Sequence, residues 1–177
     1  MQRRVALFRG INVGKAKRIA MAELKAVFEA LGFTDVRTLL NSGNVVYAAK
    51  RSTTVADAQR IGDAVARRTG VTANVLVLGA DTLDAVVAGN PFAQDADDAS
   101  RLLAGFFIDG ERAPFEALQR DFPDEHFAIG EHACYLWCPQ GIAQSRIADA
   151  LATAKFRDRV TARNWSTTLK LQALLRA

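Results

Sequence analysis

The order strand, helix, strand, strand, helix, strand is legible twice in this chain, and that doubled pattern constrains its fold more than any other feature. Val5 to Arg9 is a short apolar run cut by Gly10, so a buried strand is expected there. Met21, Leu24, Val27, Phe28 and Leu31 recur at helical spacing until Gly32 stops them. Val36–Leu40 and Val45–Ala48 read as strands, joined through Asn41-Ser42-Gly43-Asn44, which supplies the residues of a tight hairpin turn. A second helix starts near Thr53 or Thr54; with Thr54 as its cap, Asp57 falls near capping-box spacing, and Ile61 and Val65 share a face up to Gly70. Asn74 to Leu78 closes the first set.

A short helix opens at Asp81-Thr82-Leu83-Asp84, and Gln94-Asp95-Ala96-Asp97-Asp98 is a polar linker without periodicity. The pattern then repeats. Leu102–Ile108 is a strand, Pro114 sits at a helix start, and His126–Ile129 and Ala133–Cys138 flank a turn at Gly130-Glu131. Ser145 opens a helix, Val160–Arg163 is a strand, and Ser166 is expected to cap a terminal helix carrying Leu169 and Leu174. The fold class predicted is α+β: two ferredoxin-like halves packed together, residues 1–93 and 99–177, with an extra C-terminal helix. Alternation in the first strand puts Val5 and Leu7 on one face and Ala6 and Phe8 on the other, so both faces of that strand are expected to be buried.

Composition narrows the class further. Half the 177 residues are apolar and 24% are charged, an ordinary globular mix. No stretch reaches the roughly 18 uncharged apolar residues of a membrane span, and Arg9 interrupts the first apolar run too early for a secretory signal. A cytoplasmic chain without membrane association is expected, with a monomer preferred. Cys134 and Cys138 lie four residues apart on one strand, about 13 Å, whereas a disulfide needs less than about 7 Å between Cα atoms; they are expected to stay unbridged thiols, as suits a reducing compartment. The same separation keeps His132, Cys134 and Cys138 out of one tetrahedron, and no metal or other cofactor is predicted.

The charge is uneven. Residues 1–90 carry 13 basic and 7 acidic side chains, residues 91–177 carry 10 and 12. The first eighteen residues hold Arg3, Arg4, Arg9, Lys15, Lys17 and Arg18, with no acid before Glu23. Such a segment serves either an anionic partner or simply a solvated basic face.

Several short motifs occur in order: Arg9-Gly10-Ile11-Asn12-Val13-Gly14, Met21-Ala22-Glu23-Leu24, Leu31-Gly32-Phe33, Ser42-Gly43-Asn44-Val45, Asn90-Pro91-Phe92 and Arg163-Asn164-Trp165. Together they resemble a bacterial family, domain of unknown function 1697, along essentially the whole chain. The resemblance implies a cytosolic α+β protein of two ferredoxin-like halves, without an established activity. The chain departs from the family pattern at Gly14-Lys15, where members commonly have Gly-Gly. It also departs at Ser145-Arg146-Ile147, in place of Ser-Lys-Leu, and at Ala20-Met21, in place of Pro-Met.

Three segments are candidates for a site. The loop carrying Arg9, Asn12 and Lys15 is not a Walker loop, having three residues between its glycines and Ala16 after the lysine. It reads as an anion-binding loop of backbone N–H groups and cations, or as a structural turn. Ser42 and Asn44 either project hydrogen-bonding groups toward a ligand or serve the hairpin. Arg163, Asn164 and Trp165 precede a helix start, where an anion or ring is accommodated, or else they are core and cap. Neighbouring antiparallel first and third strands would put Arg9, Asn12, Ser42 and Asn44 at one sheet end. The expected function is therefore binding of a phosphate-bearing ligand, nucleotide or nucleic acid. The alternatives are an enzyme acting on a small anionic substrate, and a protein-interaction module without ligand.

Overall fold

Alternation along β1 (Gln2–Phe8) sends Ala6 and Phe8 to one face and Val5 and Leu7 to the other, and all four are buried in the computed structural model, which describes residues 1–177. The chain forms two four-stranded antiparallel sheets and six α-helices. Its packing divides it into two compact units: Met1–Leu83 together with Leu171–Ala177, and Asp84–Lys170.

In the first unit β1 is followed by α1 (Met21–Ala30), β2 (Thr34–Leu39), β3 (Asn44–Ala49), α2 (Thr54–Thr69) and β4 (Val75–Gly79). The strand order is β2-β3-β1-β4, with Leu7 opposite both Asn44 and Leu76. Ala6, Phe8, Val45 and Tyr47 pack with Leu24 and Phe28 of α1 and Ile61 and Val65 of α2. Tyr47 sits 4.5 Å from Phe33 and 5.2 Å from Phe28, centroid to centroid.

A charged group is built into this core. Arg4 shares the helix-facing side of β1 with Ala6 and Phe8, and its Nη1 donates to Asp57 Oδ2 at 2.6 Å. The Tyr47 hydroxyl donates to the same oxygen at 2.8 Å, and Arg4 also donates to Ser52 and Gln2. Thr53, not Thr54, caps α2: its Oγ1 accepts from the Ala56 N–H at 3.1 Å. With Thr53 as the cap, Asp57 is the fourth helical residue rather than the third, out of capping-box position, and its side chain is buried beneath Arg4.

The second unit carries β5 (Leu102–Phe107), α4 (Ala113–Asp121), β6 (His126–Ile129), β7 (Ala133–Trp137), α5 (Arg146–Leu151) and β8 (Val160–Asn164), in strand order β6-β7-β5-β8. Two 3-10 turns that the sequence did not signal, Ile142–Gln144 and Ala154–Phe156, flank α5. Phe107, Phe115 and Phe156 anchor its core, with Cys134, Leu136 and Ile147. Both cysteines are free and buried. A short helix, α3 (Ala80–Ala88), follows β4, and residues 90–101 hold neither helix nor strand.

The terminal helix α6 (Trp165–Arg176) begins earlier than expected. Asn164 Oδ1 accepts from the Thr167 N–H at 2.8 Å, so Asn164 does the capping expected of Ser166. With that start the helix buries Thr168, Leu171 and Leu175, and leaves Leu169 exposed.

Two outcomes are expected from the buried group. Arg4→Met leaves Asp57 without its cation and costs about 3–5 kcal/mol of stability, measured by urea unfolding. Burial, together with the hydrogen bond to Asp57 and its charge, pushes the Tyr47 phenol far above its ordinary range. The folded chain therefore keeps this proton above about pH 10, where the unfolded chain loses it. Stability held in that proton is full below about pH 10 and is lost as pH rises beyond it. Tyr47→Phe should flatten the alkaline limb of a stability–pH curve.

Candidate functional site

The segment between β1 and α1 leaves the sheet at Arg9, whose backbone N–H donates to the Asn74 carbonyl at 2.9 Å and whose side chain is half-buried. Asn12 then organises the loop. Its φ is 54°, its N–H donates to the Lys17 carbonyl at 3.0 Å, and its side-chain Oδ1 accepts from the Ile19 N–H at 2.8 Å. Its Nδ2 donates to the Ile19 carbonyl at 2.9 Å and to the Asn41 carbonyl at 2.8 Å. Both amide protons are thus committed to the backbone, and one of them ties the loop to the β2–β3 turn.

The turn is equally determined. Gly43 has φ +83°, and a Cβ there would lie 2.7 Å from both Phe8 Cβ and Ile11 Cδ1. No side chain fits, and the left-handed conformation favours glycine. The Gly43 carbonyl accepts from the Phe8 N–H at 2.9 Å. Asn44 is fully buried, and its Nδ2 donates to the Leu39 carbonyl at 2.8 Å and to Ser42 Oγ at 2.9 Å. Asn12, Ser42 and Asn44 therefore lie together at one end of the sheet, beside the exit of Arg9.

The basic N-terminal residues divide into two groups. Arg4 is internal, and Arg3 faces Asp35 at 3.9 Å and donates to the Leu174 carbonyl. Lys15, Lys17 and Arg18 are exposed and pair with no carboxylate. Lys17 Nζ donates to the Thr72 carbonyl at 3.1 Å and Arg18 Nη1 leans on the Asn12 carbonyl at 3.4 Å, while Lys15 makes no side-chain hydrogen bond or ion pair.

Arg163, Asn164 and Trp165 belong to the second unit. Arg163 is buried, and its Nη1 donates to Thr161 Oγ1 at 2.9 Å and to the Ala162 carbonyl at 2.8 Å. Asn164 caps α6 and Trp165 is buried. In the Asn90-Pro91-Phe92 segment, Asn90 Oδ1 accepts from the Phe92 N–H, closing a local turn.

The second unit also has a feature the sequence reading missed, an open cleft of about 360 Å³ between the start of β6 and the β7–α5 connection. Arg146 is fixed there by Asp124, both of whose oxygens it reaches at 2.6 Å, and by Glu125 at 3.3 Å, with its guanidinium 4.8 Å from the Phe122 ring centre. Ser145 Oγ donates to Glu125 Oε2 at 2.5 Å. Burial alone would raise the Glu125 carboxyl, but hydrogen bonds from Ser145 and from the Arg146 and Ile147 N–H groups outweigh it and hold the carboxyl below its ordinary value. Burial pushes the neighbouring Cys138 thiol up, against its hydrogen bond with Ser145. Ser145 was legible as a cap; its link to Glu125, twenty residues away, carried no local signal. No three His, Cys, Asp or Glu side chains gather in a metal-binding group.

Charge separates sharply between the units. Met1–Leu83 with Leu171–Ala177 carries 14 Lys and Arg against 6 Asp and Glu, a net +8; Asp84–Lys170 carries 9 against 13, a net −4.

The model of a protein family described as "Protein of unknown function (DUF1697)" matches residues 1–135. Among solved structures, the chain is similar to the conserved bacterial protein SP0830 from Streptococcus pneumoniae, with a TM-score of 0.79, 22% identity and 98% of each chain covered. That likeness is one of fold. Comparison with curated proteins yields no match.

The Asn12 latch has a checkable consequence. Asn12→Asp keeps the shape and the acceptor but replaces both donors with carboxylate facing two carbonyls. It should cost about 1–3 kcal/mol in urea unfolding and open the segment between Gly10 and Arg18 to limited proteolysis; Asn12→Ser should do likewise.

Proposed function

We propose a function for this chain from its own residues, because it belongs to the DUF1697 family, whose description assigns no activity: it is a cytoplasmic binding protein for a phosphate-bearing ligand, nucleotide or nucleic acid. The ligand is held by the loop after β1 and the adjoining β2–β3 turn. The observation that carries this reading is where left-handed backbone collects. Eleven residues have positive φ, and six of them, Gly10, Asn12, Gly14, Lys17, Leu40 and Gly43, lie in these two tied segments. A left-handed Lys or Leu costs about 1–2 kcal/mol, and such conformations gather where a binding surface is held ready.

Chemistry at the loop fits an anion. The N–H groups of Val13, Gly14 and Lys15 make no backbone hydrogen bond, and they stand among exposed cations without carboxylate partners. Turns of this kind form concavities of N–H groups suited to phosphate oxygens. Lys15 is the contact most free to reach a ligand, and Arg9 flanks the loop. The +8 charge of the first unit raises the local concentration of anions around it. Asn12 and Asn44 act here as positioning residues, since their amide protons are already committed.

The same reading takes each half as a ferredoxin-like unit. The orders β2-β3-β1-β4 and β6-β7-β5-β8, with helices after the first and third strand of each set, support it. The free thiols support a reducing compartment.

Thermal-shift and calorimetric titrations with pyrophosphate, nucleoside triphosphates and short oligonucleotides test the proposal. A ligand at 100 times its Kd should stabilise the chain by about 2.7 kcal/mol. Lys15→Ala should weaken it by up to about fivefold, the worth of an exposed ion pair, without changing unfolding in the absence of ligand. No binding by any of these phosphates at low salt would overturn the reading.

A further inference from the structure

We infer that this end of the first unit is a track for single-stranded nucleic acid rather than a seat for one nucleotide; the inference rests on the phosphate-binding reading above and specifies its ligand. Because β1 lies between β3 and β4, three connections emerge side by side at the same end of the sheet: the β2–β3 turn, the loop after β1 and the segment entering β4. Two hydrogen bonds hold them in that row. Asn12 Nδ2 reaches the Asn41 carbonyl of the turn, and Lys17 Nζ reaches the Thr72 carbonyl of the segment entering β4.

That last segment follows the final turn of α2, which carries Arg67 and Arg68. Both are exposed, and neither makes an ion pair or a side-chain hydrogen bond. Near a helix C-terminus they also offset the macrodipole, which requires no such pair of cations beside a third basic group. Lys15, Lys17, Arg18, Arg67 and Arg68 thus form a row of five exposed cations along one sheet end, none with a carboxylate partner. The cations lie over the ends of β1 and β4, one inter-strand step of about 5 Å apart, and their long side chains spread the row further.

Two exposed aliphatic side chains decide between single and double strands. Val13, 71% exposed, stands at the tip of the loop, and Leu40, 56% exposed, is held at φ 59° in the turn. The Asn12–Asn41 hydrogen bond joins the residues next to them in sequence. A duplex hides its base faces in the stack and would leave both side chains in water. A single strand offers unstacked bases that can lie against them while its phosphates meet the cations. An acidic polypeptide matches the charge but gives the aliphatic pair no flat faces; an anionic lipid surface is the remaining competitor.

Fluorescence anisotropy with a labelled oligothymidylate and oligouridylate of about 12 nucleotides, repeated between about 50 and about 200 mM salt, tests the track. Five phosphate contacts give a log–log salt slope of about −3.5, at about 0.7 per contact for single strands. Lys15→Ala/Arg18→Ala and Arg67→Ala/Arg68→Ala should each flatten it by about 1.4, with unchanged circular dichroism. A slope that responds to the loop pair alone overturns the track. So does a duplex of the same length, poly-glutamate or a phosphatidylserine vesicle that binds as tightly as the single strand. If pyrophosphate or a triphosphate binds while the oligonucleotides do not, this inference fails and the phosphate-binding reading stands; if none of them binds, both fail.

Discussion

Everything at the candidate site depends on β1 being an interior strand with antiparallel neighbours on both sides. Its residues from Arg4 to Leu7 are paired toward β3 and β4 at once. The chain can therefore leave the ladder only at the sheet end, after Phe8, and it meets there the turn that precedes β3 and the segment that enters β4. Antiparallel geometry is what makes those three connections neighbours. Burial of both faces of β1 then fixes its register, since a slip of one residue would carry Arg4 to the opposite face, away from Asp57.

Hydrogen bonds hold the loop on this frame where a core would otherwise be needed. Ile11 and Ile19 are its buried apolar anchors, and between them the loop is organised by Asn12. That arrangement lets Lys15, Lys17 and Arg18 remain in solvent while the backbone beneath them stays ordered. It contrasts with Arg4, which shares a face with Phe8 and so must be paired internally. Removing either partner of that pair exposes a buried charge to an apolar surround, whereas the loop cations are already hydrated and lose little when unpaired.

Much of this was legible from residues and much was not, for identifiable reasons. Hairpins and strands announced themselves through Gly43 and through apolar runs, because a positive φ beside packed side chains admits little else. Competing cap residues left one helix start open and misplaced another. Thr53 and Thr54 satisfy the same local rule, and only the burial of Asp57 beneath Arg4 selects the first; Asn164 and Ser166 compete in the same way before α6. Both choices turn on contacts distant in sequence. The convergence of Asn12 with the β2–β3 turn followed from strand adjacency, but the commitment of its amide protons to Ile19 and Asn41 did not. Nor did the role of Arg67 and Arg68, whose position at a helix end accounts for them locally. The Glu125–Ser145 link at the cleft of the second unit joins two stretches that each looked complete alone.

The candidate residues thus sort by what remains of their hydrogen-bonding capacity. Asn12 and Asn44 have no amide proton left, and Asn164 holds the start of α6. The polar contacts that the loop after β1 still offers a ligand are cationic side chains and the N–H groups of Val13 to Lys15, all of them donors. A surface made of donors selects acceptors, and one whose donors are mostly charged selects acceptors that carry charge. Its contacts lie in solvent, so their strength falls with ionic strength over a screening length of about 10 Å at 0.1 M. Recognition there is accordingly electrostatic in strength and geometric only through the fixed backbone, which suits a repeating phosphate chain better than a ligand distinguished by the shape of its acceptors.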